Sequence, residues 1–453
     1  MNLFGTAGIR GEAATEVTPS FALSVGRAAA ADGDVFVVGR DGRETGSALA
    51  AAVEAGLESG GADVVRVGQV PTPALAWASR GRRGVMVTAS HNPPTDNGLK
   101  LFVDGTEYDV AAERTLTDRV EDGTAPVEWA AWGTTTRESV LEPYRRDVGD
   151  YARDRVGDCH GLRVAVDCGN GMAGAATPQV LRMLGAHVVA LDANVNGHFP
   201  ARRSKPTPES LSALRTFVAE GTFALGIGHD GDADRIAVVD ADGDVVHEDT
   251  VLAILGAAYT RRSDAADPVV VTTPNASDRI DDRVAAAGGR VERVRLGALH
   301  EGVDAALSAG GDDTEVVFAG EPWKHVHTAL GPWIDGVASA AVLAGLVADG
   351  GLVDLRAPVE EKPYRKESIP CPDDRKGAVM AHLESRLPEA FPEATVDTEY
   401  GVRLALENGA WTLVRPSGTE PYVRVYAESE AVDELVAAVR DVVEAAVEEF
   451  GGE

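Results

Sequence analysis

Four short stretches of this chain carry residue types that can do chemistry. The first, TASHNPPTDNGLK at 88–100, comes after the apolar run VMV and sets Ser90 beside His91. Pro93 and Pro94 stiffen the middle of the stretch, and Lys100 stands at its end. Such a loop suits the holding of one hydroxyl in place. It does not match a serine-hydrolase elbow, which needs G-x-S-x-G. It does not match a phosphate-binding loop that ends in GK[ST] either.

The second stretch, HDGDADR at 229–235, alternates Asp230, Asp232 and Asp234 with the small residues Gly231 and Ala233. Three carboxylates turned to one centre suit a hard divalent cation, Mg²⁺ above all, with positions left open for a phosphate oxygen. A calcium-binding EF-hand loop shares this opening. It requires glycine at its sixth position and glutamate at its twelfth, where this chain has Arg235 and Ala241. The third stretch, RPSGTEPYVR at 415–424, is an anion cradle. Ser417, Gly418 and Thr419 offer hydroxyls and successive backbone N–H groups, flanked by Arg415 and Arg424, whose forks grip phosphate. The fourth, GEPWKH at 320–325, offers Glu321 to sugar hydroxyls and Trp323 to a sugar face. Lys324 and His325 can contact phosphate or move a proton there. A hydroxyl near a carboxylate triad and an anion cradle is equipment for phosphoryl transfer, where positioning and charge neutralisation supply most of the catalysis.

Three copies of one plan position these loops. Strand-like runs at 34–41, 63–68 and 84–92, separated by helical stretches, form the first copy. The second has runs at 162–171, 187–192 and 223–235, and the third at 268–275, 290–297 and 315–325. Strand–helix–strand–helix–strand predicts a parallel sheet covered on both faces. Each third strand ends in one of the polar loops, and ligands of open α/β sheets bind beyond strand carboxyl ends. The tail differs: GVRLALENGAWTLVRPSGTEPYVRVYAES predicts antiparallel strands, with a helix over roughly 430–450. The expected domains are 1–138, 139–248, 249–353 and 362–453, the acidic stretch 354–363 being a hinge. The fold class is α/β: three similar domains with mostly parallel sheets and a C-terminal α+β domain.

Composition narrows the partners. A net charge of −30 repels nucleic acid and other anions. It suits molar salt, where the Debye length falls to ~3 Å, and we expect a salt-adapted protein. Lysine is scarce, at positions 100, 205, 324, 362, 366 and 376. Any lysine within a loop motif therefore draws notice. No apolar run is long enough for a membrane span. The N-terminus MNLFGTAGIRG lacks the features of a signal peptide. Three cysteines with no CxxC are read as reduced thiols in a cytoplasmic protein. Oligomeric state is not readable.

These motifs, with FGTAGIRG (4–11), GRDGRETG (39–46) and NGHFP (196–200), stand in an order that resembles the α-D-phosphohexomutases. That group includes phosphomannomutase/phosphoglucomutase and phosphoglucosamine mutase. The resemblance covers essentially the whole chain and implies four domains around one central cleft. It implies a phosphorylated Ser90, next to His91, with Mg²⁺ between it and Asp230, Asp232 and Asp234. The serine's phosphoryl group passes to a sugar monophosphate, and a sugar bisphosphate serves as intermediate and activator. Lys100 and His325 match the family's residues for proton transfer and charge stabilisation, and Arg10 and Arg235 match arginines near the moving phosphate. Glu321 matches the sugar-reading glutamate. Arg415, Ser417, Gly418, Thr419 and Arg424 match the loop that holds the other phosphate, with Arg295 where some members have a phosphate-binding lysine. The partners implied are small sugar phosphates. Many members have a small residue where this chain has Trp323-Lys324, so both hexose and pentose phosphates stay open. A sugar-phosphate-binding protein without catalysis is the alternative of another class.

Overall fold

The structure, a computed structural model, describes residues 3–5, 8–418 and 420–450. Three sheets share one parallel centre. In the first, Val35–Arg40 lies between Asp63–Gln69 and Arg83–Val87. In the second, Arg163–Asp167 lies between His187–Leu191 and Leu225–His229. In the third, Asp267–Thr272 lies between Arg290–Arg293 and Thr314–Glu321. The strands are rich in valine, and their inward residues are buried on both faces, as a sheet covered by helices requires.

Each unit also has a strand that the repeat plan does not contain. The third parallel strand turns back into an antiparallel neighbour: Asp96–Val103, Ile236–Val239 or Lys324–Val326. The polar loops at 88–95, 230–235 and 322–323 are therefore hairpin connections, each clamped by strands on both sides. Register then decides which side chains face the cleft, because a strand alternates its faces.

The C-terminal sheet is antiparallel, in the order Tyr364–Pro370, Tyr422–Glu428, Trp411–Pro416, Val402–Ala405, Thr395–Asp397. Helices Lys376–Ala390 and Val432–Glu449 cover it and give it a core of its own. A single apolar cluster runs through the first three sheets, from Val37 and Met86 through Val164 and Ile227 to Val270 and Phe318. The buried ion pair Arg279–Glu428, at 3.1 Å, ties the third sheet's helix layer to the C-terminal sheet. The three cysteines are free and buried. No helix among the described residues is long and apolar enough to cross a membrane.

In the third sheet, alternation along Lys324–Val326 sends His325 into the core. Its Nδ1 lies 3.0 Å from Ser339 Oγ, and its ring tilts against Phe318 at 5.7 Å. Ser339 sits on the helix Gly336–Gly350, which Asp335 caps by accepting from the Ala338 N–H at 2.8 Å. The Ser339 hydroxyl donates to the Asp335 carbonyl at 2.7 Å, so it can only accept from its two histidine neighbours. His327 Nε2 thus donates to it at 2.9 Å, while His327 Nδ1 accepts from the Tyr259 hydroxyl at 2.6 Å. Burial pushes the His325 pKa down to about 3. Below its ordinary value of about 6.5 the unfolded chain takes up a proton that the fold refuses, which costs about 1.4 kcal/mol per pH unit. Stability is therefore present above that value and is lost as pH falls toward the folded pKa. Melting in molar KCl should show a drop between pH 6.5 and 4 that is shallower in His325→Gln. An unchanged slope would contradict the neutral buried state.

Candidate active site

The serine loop is held from beneath by an arginine. Arg43, 1% exposed, donates from one guanidinium to the carbonyls of Ser90 (2.8 Å), Asn92 (2.9 Å), Pro93 (2.6 Å) and Asp96 (2.8 Å). Its remaining edge pairs with Asp41 at 3.1 Å, and Phe199 lies across its face at 5.2 Å. Thr88 donates to Asp41 at 2.7 Å and accepts from the Ser90 N–H at 2.8 Å. This bracing holds Ser90 at a φ of 49°, a left-handed conformation that costs a non-glycine residue about 1–3 kcal/mol. Gly231 allows the approach from the second sheet: a Cβ there would lie 2.6 Å from the Ser90 carbonyl.

The Ser90 hydroxyl donates to Asp230 Oδ2 at 2.7 Å, with His91 Nδ1 3.4 Å away. Asp230, Asp232 and Asp234 are buried, each with an oxygen within 4.8 Å of the others. Asp232 Oδ1 and Asp234 Oδ1 have no hydrogen-bond partner. Buried carboxylate oxygens with no donor are what a hard cation takes, and the triad fits Mg²⁺ on that ground. Lys100 joins the cluster at 2.7 Å from Asp234 and 3.6 Å from Asp232. Its burial favours the neutral form, but Asp234, Asp232 and Glu107 outweigh it and raise its pKa above the usual lysine range. Burial, then Asp234 and Asp232, raises Asp230 well above the usual carboxylate range. Asp234 goes the other way, because Lys100 and Arg235 overcome the effect of its burial. Arg235 lies 3.7 Å from both Asp230 and Asp234. Arg10 extends from the strand Ile9–Glu12 with Nε and Nη2 buried and unpartnered. Burial, then Arg235 and Arg10, pushes His91 down to about 2, so it stays neutral. Two arginines with spare donors beside a serine hydroxyl can receive an anionic phosphoryl group.

A second pole lies on the C-terminal sheet. Ser417 Oγ, Arg415 Nε and Arg424 Nε are buried without partners. They open on a cavity of about 760 Å³ that Gly418 and Arg295 also line. Thr419 lies outside the described residues. Glu321 and Lys324 face a deeper hollow of about 60 Å³, which they share with Asp234, Thr72 and His300. Two expectations are corrected here. Trp323 lines neither cavity: at a φ of 69° its ring packs on the second sheet's cluster of Leu211, Phe223 and Val239, with the Lys205 ammonium 5.6 Å over it. His325 has turned into the core, since the return strand gives its cleft-facing position to Lys324.

Family models match residues 1–126 as phosphoglucomutase/phosphomannomutase alpha/beta/alpha domain I, 145–243 as domain II and 370–446 as the C-terminal domain. The phosphopentomutase of Thermococcus kodakarensis is 40% identical, covering 95% of this chain and 94% of its own. A probable phosphoglucosamine mutase of Methanopyrus kandleri is 39% identical over 97% and 98% of the two chains. The chain belongs to the α-D-phosphohexomutase family. Its fold is that of a phosphoglucomutase/phosphomannomutase family protein from Burkholderia thailandensis, with a TM-score of 0.84 at 24% identity over 98% and 97% of the chains. An Aspergillus fumigatus N-acetylphosphoglucosamine mutase, solved with GlcNAc-6P and magnesium, aligns at a TM-score of 0.62 and 16% identity over 99% and 96%.

In this phosphohexomutase, motif reading passed over three residues that build the site. Arg43 was visible within GRDGRETG but had no assigned task. Lys376 donates to the carbonyls of Ser417 (2.7 Å) and Glu420 (2.5 Å), bracing the cradle from below. Lys205 stands near Arg235, Lys366 and Arg424, and its burial, then these charges, lowers its pKa. The scarcity of lysine was the signal available for the last two. Arg43→Lys keeps the charge but loses the fork that reaches four carbonyls. We expect kcat to fall by about tenfold to a hundredfold with little change in KM. A change confined to KM would show that Arg43 does not position the serine.

Proposed function

We propose that this phosphohexomutase moves phosphate between the 1- and 6-positions of a hexose through phosphorylated Ser90. The observation that carries the reading is the hydroxyl of Ser90, buried within hydrogen-bonding distance of one carboxylate of a cation-fitting triad. In the first half-reaction the P–O bond to Ser90 breaks as one forms to a sugar hydroxyl. In the second, the bisphosphate returns its other phosphoryl group to Ser90, so the sum is an isomerisation.

The residues divide this work. Asp230, Asp232 and Asp234 would hold Mg²⁺, which supplies charge neutralisation at the phosphoryl oxygens. Arg10, Arg235 and Lys100 offset the charge that develops there. His91, kept neutral, touches the serine oxygen without adding charge. Arg415, Ser417, Arg424 and Arg295 would hold the second phosphate, with Gly418 giving a backbone N–H group. Two sets of phosphate-holding groups suit a bisphosphate whose ends exchange roles.

A second reading is a pentose substrate, moved between the 1- and 5-positions. It is favoured by the small hollow beside Glu321, into which Lys324 projects, and by the phosphopentomutase relative. Phosphorus NMR in molar KCl with Mg²⁺ and a trace of sugar bisphosphate separates the two: hexose and ribose 1-phosphates are offered in turn. Ser90→Ala should lose nearly all turnover and still bind the sugar phosphate. Full activity in that variant would remove the phosphoserine route. Activity stripped by a chelator should return with Mg²⁺, at a higher concentration in Asp232→Asn than in the wild type. Equal concentrations would take Asp232 out of the metal site.

A further inference from the structure

We propose that the Lys324–Glu321 pair restricts the site to neutral sugar phosphates and rejects an amino sugar that carries an ammonium group. This rests on the sugar-phosphate mutase reading and narrows its substrate class. Lys324 Nζ donates to Glu321 Oε1 at 3.0 Å, and both residues are at least nine-tenths buried, at 8% and 9% exposure. The return strand makes this placement unavoidable: Lys324 pairs with Glu321 across the hairpin, on the face that lines the 60 Å³ hollow.

Three of the carboxylates around that hollow already face a lysine. Glu321 is engaged by Lys324, Asp234 by Lys100 at 2.7 Å, and Glu107 by Lys100 at 3.6 Å. Glu113, which faces Arg295, is pushed up to about 7 by its burial and by Glu107. Tyr108 and His300 are the remaining titratable groups on the wall among the described residues. Burial and Asp32 raise the Tyr108 phenol above its usual range, so neither group offers a negative charge. A sugar ammonium placed here meets a like charge in a partly dehydrated hollow, where repulsion is several times stronger than in water. A vicinal diol fits instead: one hydroxyl donates to the glutamate, and its neighbour accepts from the lysine.

The test compares kcat/KM for glucose 1-phosphate, ribose 1-phosphate and glucosamine 1-phosphate in the Mg²⁺-loaded full chain. The wild type should prefer the better neutral ester by about 100-fold or more, a gap that corresponds to two factors of ten in affinity for the transition state. The gap should narrow as pH rises and the sugar amine loses its proton, which a purely steric barrier would not do. Lys324→Met, similar in length but uncharged, should narrow it by about tenfold or more. Equal turnover of glucosamine phosphate, a gap insensitive to pH, or an unchanged gap in Lys324→Met would each overturn the proposal. If none of the three esters is isomerised, the mutase reading falls by itself. Titration calorimetry on Ser90→Ala then decides the present point: glucosamine 1-phosphate binding more weakly than a neutral ester, or not at all beside one that binds, upholds it, and equal binding, or no binding of any of the three, overturns it.

Discussion

Charge cancellation inside a buried centre is the constraint on which the rest of this structure depends. Asp230, Asp232 and Asp234 could not stay ionised together in a dry site unless cations stood against them. Lys100, Arg10 and Arg235 do so, each from a different part of the chain, and the six charges would balance once a bound cation holds Asp230, otherwise raised by its burial and its two neighbours, in its ionised form. A divalent cation added to that balance leaves a net positive centre, matched to a dianionic phosphoryl group. In a molecule of net charge −30 this is a local reversal of sign. A second group of arginines, Arg415, Arg424 and Arg295, lines the larger cavity beside the C-terminal sheet.

The repeated architecture supplies the groups because each unit brings its loop to the same place. A parallel centre with an antiparallel return strand turns every third-strand loop into a hairpin held at both ends. Such a loop can keep a strained residue, as Ser90 and Trp323 show by their positive φ values. It can also be braced from below, by Arg43 under the serine and by Lys376 under the cradle. Both supports work through backbone carbonyls, so they fix the loop and leave its side chains free for the ligand.

Much of this was legible in the residues themselves. Apolar runs before HDGDADR and GEPWKH announced strands that end in polar loops, and the tail's ENG turn announced antiparallel pairing. The return strands were not legible, because Asp96–Val103 begins on DNG and Lys324–Val326 spans three residues, too short for a period to show. That one omission explains both misplaced side chains. A loop leaves every residue free to face a ligand, whereas a strand sends Lys324 to the cleft and His325 to the core. Trp323 reads as a stacking platform by type, but the φ its position demands turns the indole onto Leu211 and Phe223. Arg43 was missed for a different reason: its partners are carbonyls 47 to 53 residues away, and no local pattern marks a donor to distant backbone.

The central claim is that Ser90 carries the phosphoryl group between the two ends of the sugar. The most direct measurement incubates the Mg²⁺-loaded protein with glucose 1,6-bisphosphate carrying radioactive phosphorus, then locates the label by peptide mapping. The account predicts label on Ser90 alone, lost again when unlabelled sugar monophosphate is added. Label that stays on Ser90 through many turnovers, or turnover with no label there, would contradict it.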